Sequence, residues 1–289
     1  MSMSKQQVIK SSWVIHISHE LSLLQQKLWN ILLARAYDNL VKQEIHSIDV
    51  RILCFYLGKN RSIQYLQTAL SELCEIESFN LINKTKQAYS RNKFRLLSSA
   101  VIEDGICRYA FSNDLIPQLM NPPSYAKINL LMQSKFKSKY SLIIYELCKD
   151  YMHIDRTPMF TLEKLKTYLG IAPNEYAIFK HFNYKVIKKA ISEINKVSDL
   201  SIAVKFDVKN GVDVVWFEIK KKTRTIFNIR KLTSQATKNI PRQNLEQCPF
   251  MQLKGHGVSH KKATHILSNF NLQEIQQVLN GVKNDIYYC

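Results

Sequence analysis

Apolar positions recur along this chain in two runs of the same order. In the first, LSLLQQKLWNILLARAY (residues 21–37) sets Leu21, Leu24, Leu28, Ile31 and Leu32 on one helical stripe, because side chains three and four apart share a helix face. Ser22 followed three positions later by Gln25 is a capping-box start. A second helix is predicted over 48–57, apolar at Ile48, Ile52, Leu53 and Leu57, with Gly58 placed to end it in the left-handed conformation. A third, over 62–75, would bury Ile63, Leu66, Leu70 and Leu73. The period then drops to two. FRLLSSAVIEDGICRYAF (94–111) reads as strands around an Asp104-Gly105 hairpin turn, and YAKINL (125–130), after Pro122-Pro123, reads as a closing edge strand.

The second run repeats the first. SKYSLIIYELCKDY (138–151) is amphipathic, and TLEKLKTYLG (161–170) is a short helix opened by Thr161 and closed by Gly170. A long helix is predicted over 175–198, with Phe179, Phe182, Val186, Ala190, Ile191 and Ile194 facing inward. SIAVKFDVKNGVDVVWFEI (201–219) alternates on both sides of Asn210-Gly211, the preferred pair for a two-residue hairpin turn. Helix, helix–turn–helix, then hairpin is the order of a winged helix, in which the last helix enters the major groove and the hairpin lies along the phosphates. The fold class predicted is therefore α+β, mainly helical: a winged-helix domain over 1–134, a second over 135–222, and a basic C-terminal extension over 223–289. In that extension residues 220–242 read as an exposed arm and 258–282 as a small helical tail.

Charge narrows the partner. The chain of 289 residues holds 41 Lys+Arg against 23 Asp+Glu, net +18, which favours a polyanion because each neutralised phosphate releases a counterion. Residues 131–289 supply net +13 of that excess and residues 1–130 only +5, so the second half should carry most of the footprint. No apolar run approaches the length of a membrane helix, and the start of the chain lacks a secretory pattern, so a soluble cytoplasmic protein is expected, with no membrane contact. The six cysteines are scattered with no CxxC pair, and no glycine lies in a phosphate-binding loop pattern. Cys248, His256, His260 and His265 share one tail segment, but Gly255 and Gly257 oppose the helix that would join them. His16 and His19 do not form the His-x-His of a tyrosine nickase. No cofactor, no metal and no catalytic residue is expected.

The candidate contacts are accordingly with DNA. Opposite the inward stripe of the long helix lie Lys180, His181, Asn183, Tyr184, Lys185, Lys188 and Lys189, with no acid between Glu175 and Glu193. Lys can donate to guanine, Asn can pair with adenine, and apolar groups can meet the thymine methyl; the plainer alternative is a solvated face. Lys205, Lys209 and Asn210 near the hairpin tip are phosphate candidates, unless they only guard an edge strand. Lys135, Lys137 and Lys139 precede a helix start. In the first half Lys59, Asn60, Arg61, Ser62 and Gln64 open the third helix and Lys93 precedes the hairpin, on a surface mixed with Glu72, Glu75 and Glu77.

Several stretches look familiar at this point: LSLLQQKLWNILLARAYDNL, DGICRYAF, NPPSYAKINL, FKSKYSLIIYELCKDY, then FNYKVIKKAISEIN and an NG hairpin ending in WFEIK. Their order and spacing over residues 8–222 resemble the iteron-binding replication initiators of bacterial plasmids, and GVSHKKATHILSNF (257–270) is similar to a C-terminal segment of some members. The resemblance implies binding to directly repeated double-stranded origin DNA, opening of the neighbouring A·T-rich duplex, and recruitment of the host initiator ATPase and replicative helicase. It also implies a monomer–dimer equilibrium through the first domain, with autorepression and copy-number control by the dimer. Where the family is strongly basic at the start of the second long helix, this chain has Asn183, Tyr184 and Lys185. The alternative is a tandem winged-helix transcriptional repressor without initiator activity.

Overall fold

A computed structural model describes residues 6–18, 20–58, 61–80, 93–120, 122–172 and 174–222. The arm and tail read from the sequence beyond Lys222, with Cys248 and the three tail histidines, lie outside the described residues, as do His19, Lys59 and Asn60. The first half runs β1 (Gln7–Ser11), α1 (Ser12–Ile15), β2 (Ile17–Ser18), α2 (Leu23–Ala36), β3 (His46–Asp49), α3 (Val50–Leu57), α4 (Ile63–Glu75), β4 (Glu77–Asn80), β5 (Phe94–Arg95), β6 (Leu97–Glu103) and β7 (Ile106–Phe111). It closes with α5 (Ile116–Leu119), β8 (Tyr125–Asn129) and α6 (Leu130–Gln133). The second half runs α7 (Lys139–Asp150), β9 (Phe160–Thr161), α8 (Leu162–Tyr168), α9 (Phe179–Phe182), a π-helical turn (Asn183–Ile187), α10 (Lys188–Val197), β10 (Leu200–Lys209) and β11 (Val212–Lys221).

The repeat is closer than periodicity shows. In each half a short strand ahead of the second helix pairs antiparallel with the second strand of the hairpin: β3 with β7, and β9 with β11. The sheets are β3-β7-β6 and β10-β11-β9, so the first strand of each hairpin is the outer one. Both hairpin turns have the positive φ pair of a type I′ turn, Asp104 and Gly105 at 51° and 74°, Asn210 and Gly211 at 52° and 76°. The helix predicted over 48–57 therefore begins later. Ile48 sits in β3 opposite Cys107, and Asp49 caps α3 by accepting the Arg51 N–H at 2.7 Å.

The long helix also starts later than its pattern. Residues 174–178 turn instead, with Tyr176 at φ 50°, and the helix begins at Phe179, which is exposed rather than inward. The π turn then widens one loop of the helix to about 4.4 residues. That is why Phe182, Val186, Ala190 and Ile194, spaced by four throughout, all stay buried, and why the adjacent Ile187 is buried too. Other ends match their sequence signals: Ser22 and Gln25 exchange the two capping-box hydrogen bonds, Ser62 and Thr161 cap α4 and α8, and Gly58 ends α3 at φ 73°.

The amphipathic helix predicted over 138–151 forms, but its polar face does not meet solvent. Ser141 through Lys149 are all buried, because α7 is covered on every side within the compact unit formed by Gln7–Thr223. It packs on α1, α2 and β8 of the first half and on α10 of the second. Its charged side chains are paired in both directions. Glu146 accepts from Lys10 Nζ and Asn30 Nδ2, each at 2.6 Å, and Asp150 accepts from Ser12 and contacts His16 Nε2 at 3.0 Å. On the other side Lys149 Nζ and the Tyr145 hydroxyl both donate to Asp199, each at 3.0 Å. Asn30 Nδ2 also donates to Gln133 Oε1 at 2.9 Å, and Lys27 Nζ donates to the carbonyls of Ser134 and Phe136 at 2.9 and 2.7 Å.

Breaking one of these pairs leaves the other charge buried, which costs about 3–5 kcal/mol. Glu146→Leu should lower the unfolding free energy by that amount, seen as a lower denaturant midpoint at an unchanged slope, and Lys10→Met/Glu146→Leu should recover part of it. A single variant as stable as wild type would contradict the pairing. His46 supplies a pH dependence. It is buried among Tyr109 and Phe111, and burial holds its pKa below the ordinary 6.5. The unfolded chain then binds a proton that the native state refuses, so this contribution is complete above pH 6.5 and is lost as pH falls through the folded value. In His46→Phe the difference in unfolding free energy between pH 7.5 and 5.5 should shrink; an unchanged difference would exclude His46 as its source.

Candidate nucleic-acid interface

The second half presents one acid-free basic face. Lys180, His181, Tyr184, Lys185, Lys188 and Lys189 are all exposed along α9, the π turn and α10, with Tyr184 66% exposed. Burial of Phe182, Val186, Ile187, Ala190 and Ile194 on the other side is what turns these residues outward. None of the lysines has an acidic partner among the described residues. Asn183 departs from this face: it is half-buried and its Oδ1 lies in the interior without a hydrogen bond, so the carboxamide is not displayed like its neighbours.

Two further candidates lie beside this helix. The Lys137 backbone N–H donates to Glu193 Oε1 on α10 at 2.7 Å, which brings the exposed Lys135 and Lys137 to the helix flank. Lys139 turns away: it is half-buried, with Nζ over the Tyr140 ring and 3.5 Å from the Gly170 carbonyl. Lys222 is held at the far end, where it donates to the Asn195 and Ser198 carbonyls that end α10, and burial lowers its pKa.

The hairpin β10–β11 is exposed from Lys205 to Asp213, so it stands out from the body as a wing. Its charge is more balanced than Lys205, Lys209 and Asn210 alone suggest. Asp207 shares the strand face of the two lysines, and Lys205 is 3.8 Å from Glu218. Sequence reasoning passed over one contact here, the edge-on packing of Phe179 and Phe206 at 5.1 Å between ring centres, which ties the helix start to the wing. An alternating strand and a helical stripe each show an aromatic, but neither shows that the two meet.

The first half displays a smaller version. Arg61, Ser62 and Gln64 are exposed at the start of α4, with Arg61 over the Tyr65 ring and Ser62 Oγ accepting the Tyr65 N–H at 3.3 Å. Farther along this helix Glu72 and Glu75 are exposed, so positive character is confined to the first turn. Lys93 is not with them: it is paired with Glu77 at 2.6 Å across β4–β5. The structure thus gathers the second-half candidates around one helix and separates Lys93 and Lys139 from the rest.

His16 has a structural environment. It is 2% exposed, with Nε2 at Asp150 and Nδ1 2.7 Å from the Tyr168 hydroxyl. The Tyr151 hydroxyl lies 3.2 Å from the same Nε2, and burial raises the Tyr168 pKa, so that phenol keeps its proton beside the ring.

Two family descriptions match the chain in tandem: "Initiator Replication protein, WH1" over residues 7–149 and "Initiator Rep protein, WH2" over residues 161–226. The curated proteins contain no match. Among solved structures the chain is similar to domains 2 and 3 of RctB, at 14% identity over 76% of this chain and 92% of that one, with a TM-score of 0.41. A second structure of RctB domains 2–3 is similar at 12% identity over 70% of this chain and 81% of that one, TM-score 0.38. With two consecutive winged-helix modules, a basic third helix beside a hairpin, and both family descriptions in their order, the chain belongs to the initiator replication protein family.

Proposed function

We propose that this initiator binds directly repeated sequences at a plasmid origin, promotes opening of the adjacent A·T-rich duplex, and recruits the host initiator ATPase and replicative helicase. In this reading the module within 135–222 supplies most of the sequence recognition. The module within 1–134 adds auxiliary DNA contacts and the surface through which a dimer forms and represses the chain's own gene. The observation that carries it is the exposed basic face of the second long helix, free of acids from Lys180 to Lys189. Such a face in the major groove reads base edges, while the wing and the Lys135–Lys137 segment are placed to neutralise phosphates. Host recruitment and dimer repression rest on the resemblance alone, not on the basic face.

Binding measured against log salt on repeat and scrambled duplexes tests the division of labour. Lys185→Ala should cost about 1–3 kcal/mol on the repeat alone. Lys209→Ala should weaken both duplexes equally and lower the salt slope by about one unit. Equal loss on both duplexes for Lys185→Ala would reduce that residue to a phosphate contact. No change in either variant would remove the basic face from the interface.

A further inference from the structure

In each module one carboxamide of the third helix reaches the outer strand of the wing and bonds both kinds of backbone group on it. Asn195 Oδ1 accepts the Ile202 N–H at 2.7 Å, and Asn195 Nδ2 donates to the Ile202 carbonyl at 2.9 Å. In the first module Gln67 Oε1 accepts the Ile102 N–H at 2.7 Å, and Gln67 Nε2 donates to the Ala100 carbonyl at 3.3 Å. The strands concerned, β10 and β6, are the outermost of their sheets, so no further strand meets these groups. A carboxamide carries a donor and an acceptor on one edge, as the N–H and C=O of a single strand residue face one neighbour, and so stands in for the missing strand at that point. A carboxylate can only accept and an ammonium can only donate, so neither can make both bonds. The two amides differ in chain length and in pattern, since Asn195 takes both backbone groups of Ile202 while Gln67 takes the N–H of Ile102 and the carbonyl of Ala100, yet each joins its helix to the outer strand.

Position gives the Asn195 bonds leverage. Ile202 lies at the root of β10, and the wing tip at Lys209 is seven residues on, about 23 Å at about 3.3 Å per residue. A tilt of about 5° at the root displaces the tip by about 2 Å, more than a hydrogen bond tolerates. In the first module the bonds lie near the wing tip instead, since Ile102 is two residues before Asp104, and Gln67 lies one turn beyond Gln64 on the helix that Arg61 and Ser62 precede. We propose that Asn195 and Gln67 are positioning residues for DNA recognition, each fixing its third helix to its wing so that the two engage one stretch of duplex together. The inference rests on the DNA-reading function proposed above and adds residues that touch no DNA.

The test uses the full chain and a duplex that wild type enriches from a pool with a randomised core, compared with a scrambled duplex of equal composition. Asn195→Leu and Gln67→Leu remove each clamp. Asn195→Asp and Gln67→Glu keep the acceptor but lose the donor, so they preserve shape if the leucine variants fold poorly. At temperatures well below melting, each variant should bind the selected duplex on the order of tenfold more weakly, the scale of one lost base contact. In the leucine variants affinity for the scrambled duplex and the salt slope should stay at wild-type values, because no charge has changed, while the Asp and Glu variants, which add a carboxylate, are read by the ratio of the two affinities. A merely structural role would move the melting temperature and leave the preference for the selected duplex intact. Wild-type preference in folded variants, or equal losses on both duplexes, would overturn the clamps alone. A wild-type chain that enriches no sequence would overturn the DNA-reading function and this inference with it.

Discussion

The arrangement of both modules depends on one buried helix whose charges must all be answered. Along α7, Glu146 and Asp150 are bonded to Lys10, Asn30, Ser12 and His16 of the first module, while Lys149 and Tyr145 are bonded to Asp199 beside the second wing. An unpaired charge in such a position costs several kcal/mol, so sliding or rotating one module over the other strands a carboxylate or an ammonium in the interior. Apolar contacts alone tolerate such movements; directional, desolvated pairs do not. The helix therefore fixes where the second module's basic face stands relative to the start of α4.

From that constraint the likeness of the two modules gains its meaning. Each uses a short strand before its second helix to anchor the hairpin, a type I′ turn to shape the wing, and a third helix along the outer strand. What differs is charge: the second third-helix is basic along its exposed length, and the first only at its opening turn. Two rigidly joined readers of unequal strength, as proposed above, would suit a site that is long and continuous.

Much of this was legible in the sequence where the signal is local. The NG and DG turns, the Ser22–Gln25 box, the Gly58 stop and the period-four stripe through Phe182 and Ile194 each report on neighbours a few residues away. Leu28 and Ile194 are fully buried, as their stripes require. What escaped depends on partners far along the chain. The two-residue β9 and the four-residue β3 are too short to show a period, and they exist because β11 and β7 pair with them. The all-round burial of α7 is hidden by its polar residues, since Glu146 and Lys149 look exposed until Lys10 and Asp199 are placed beside them. Asn183 reads as a base contact by spacing, yet it opens a π turn that no stripe announces and its carboxamide oxygen lies in the interior. The candidate face was thus legible as a helix surface, and the separation of Lys93 and Lys139 from it was not.

The central claim is that one chain grips DNA as a single body with two readers held in fixed phase. Inserting half a helical turn, about 5 base pairs, between the two protected segments of a bound site tests it most directly. With the modules locked through α7, the insertion should reduce affinity to the level of the second module alone and erase the first module's footprint. Full affinity with both footprints retained across the insertion would contradict the account.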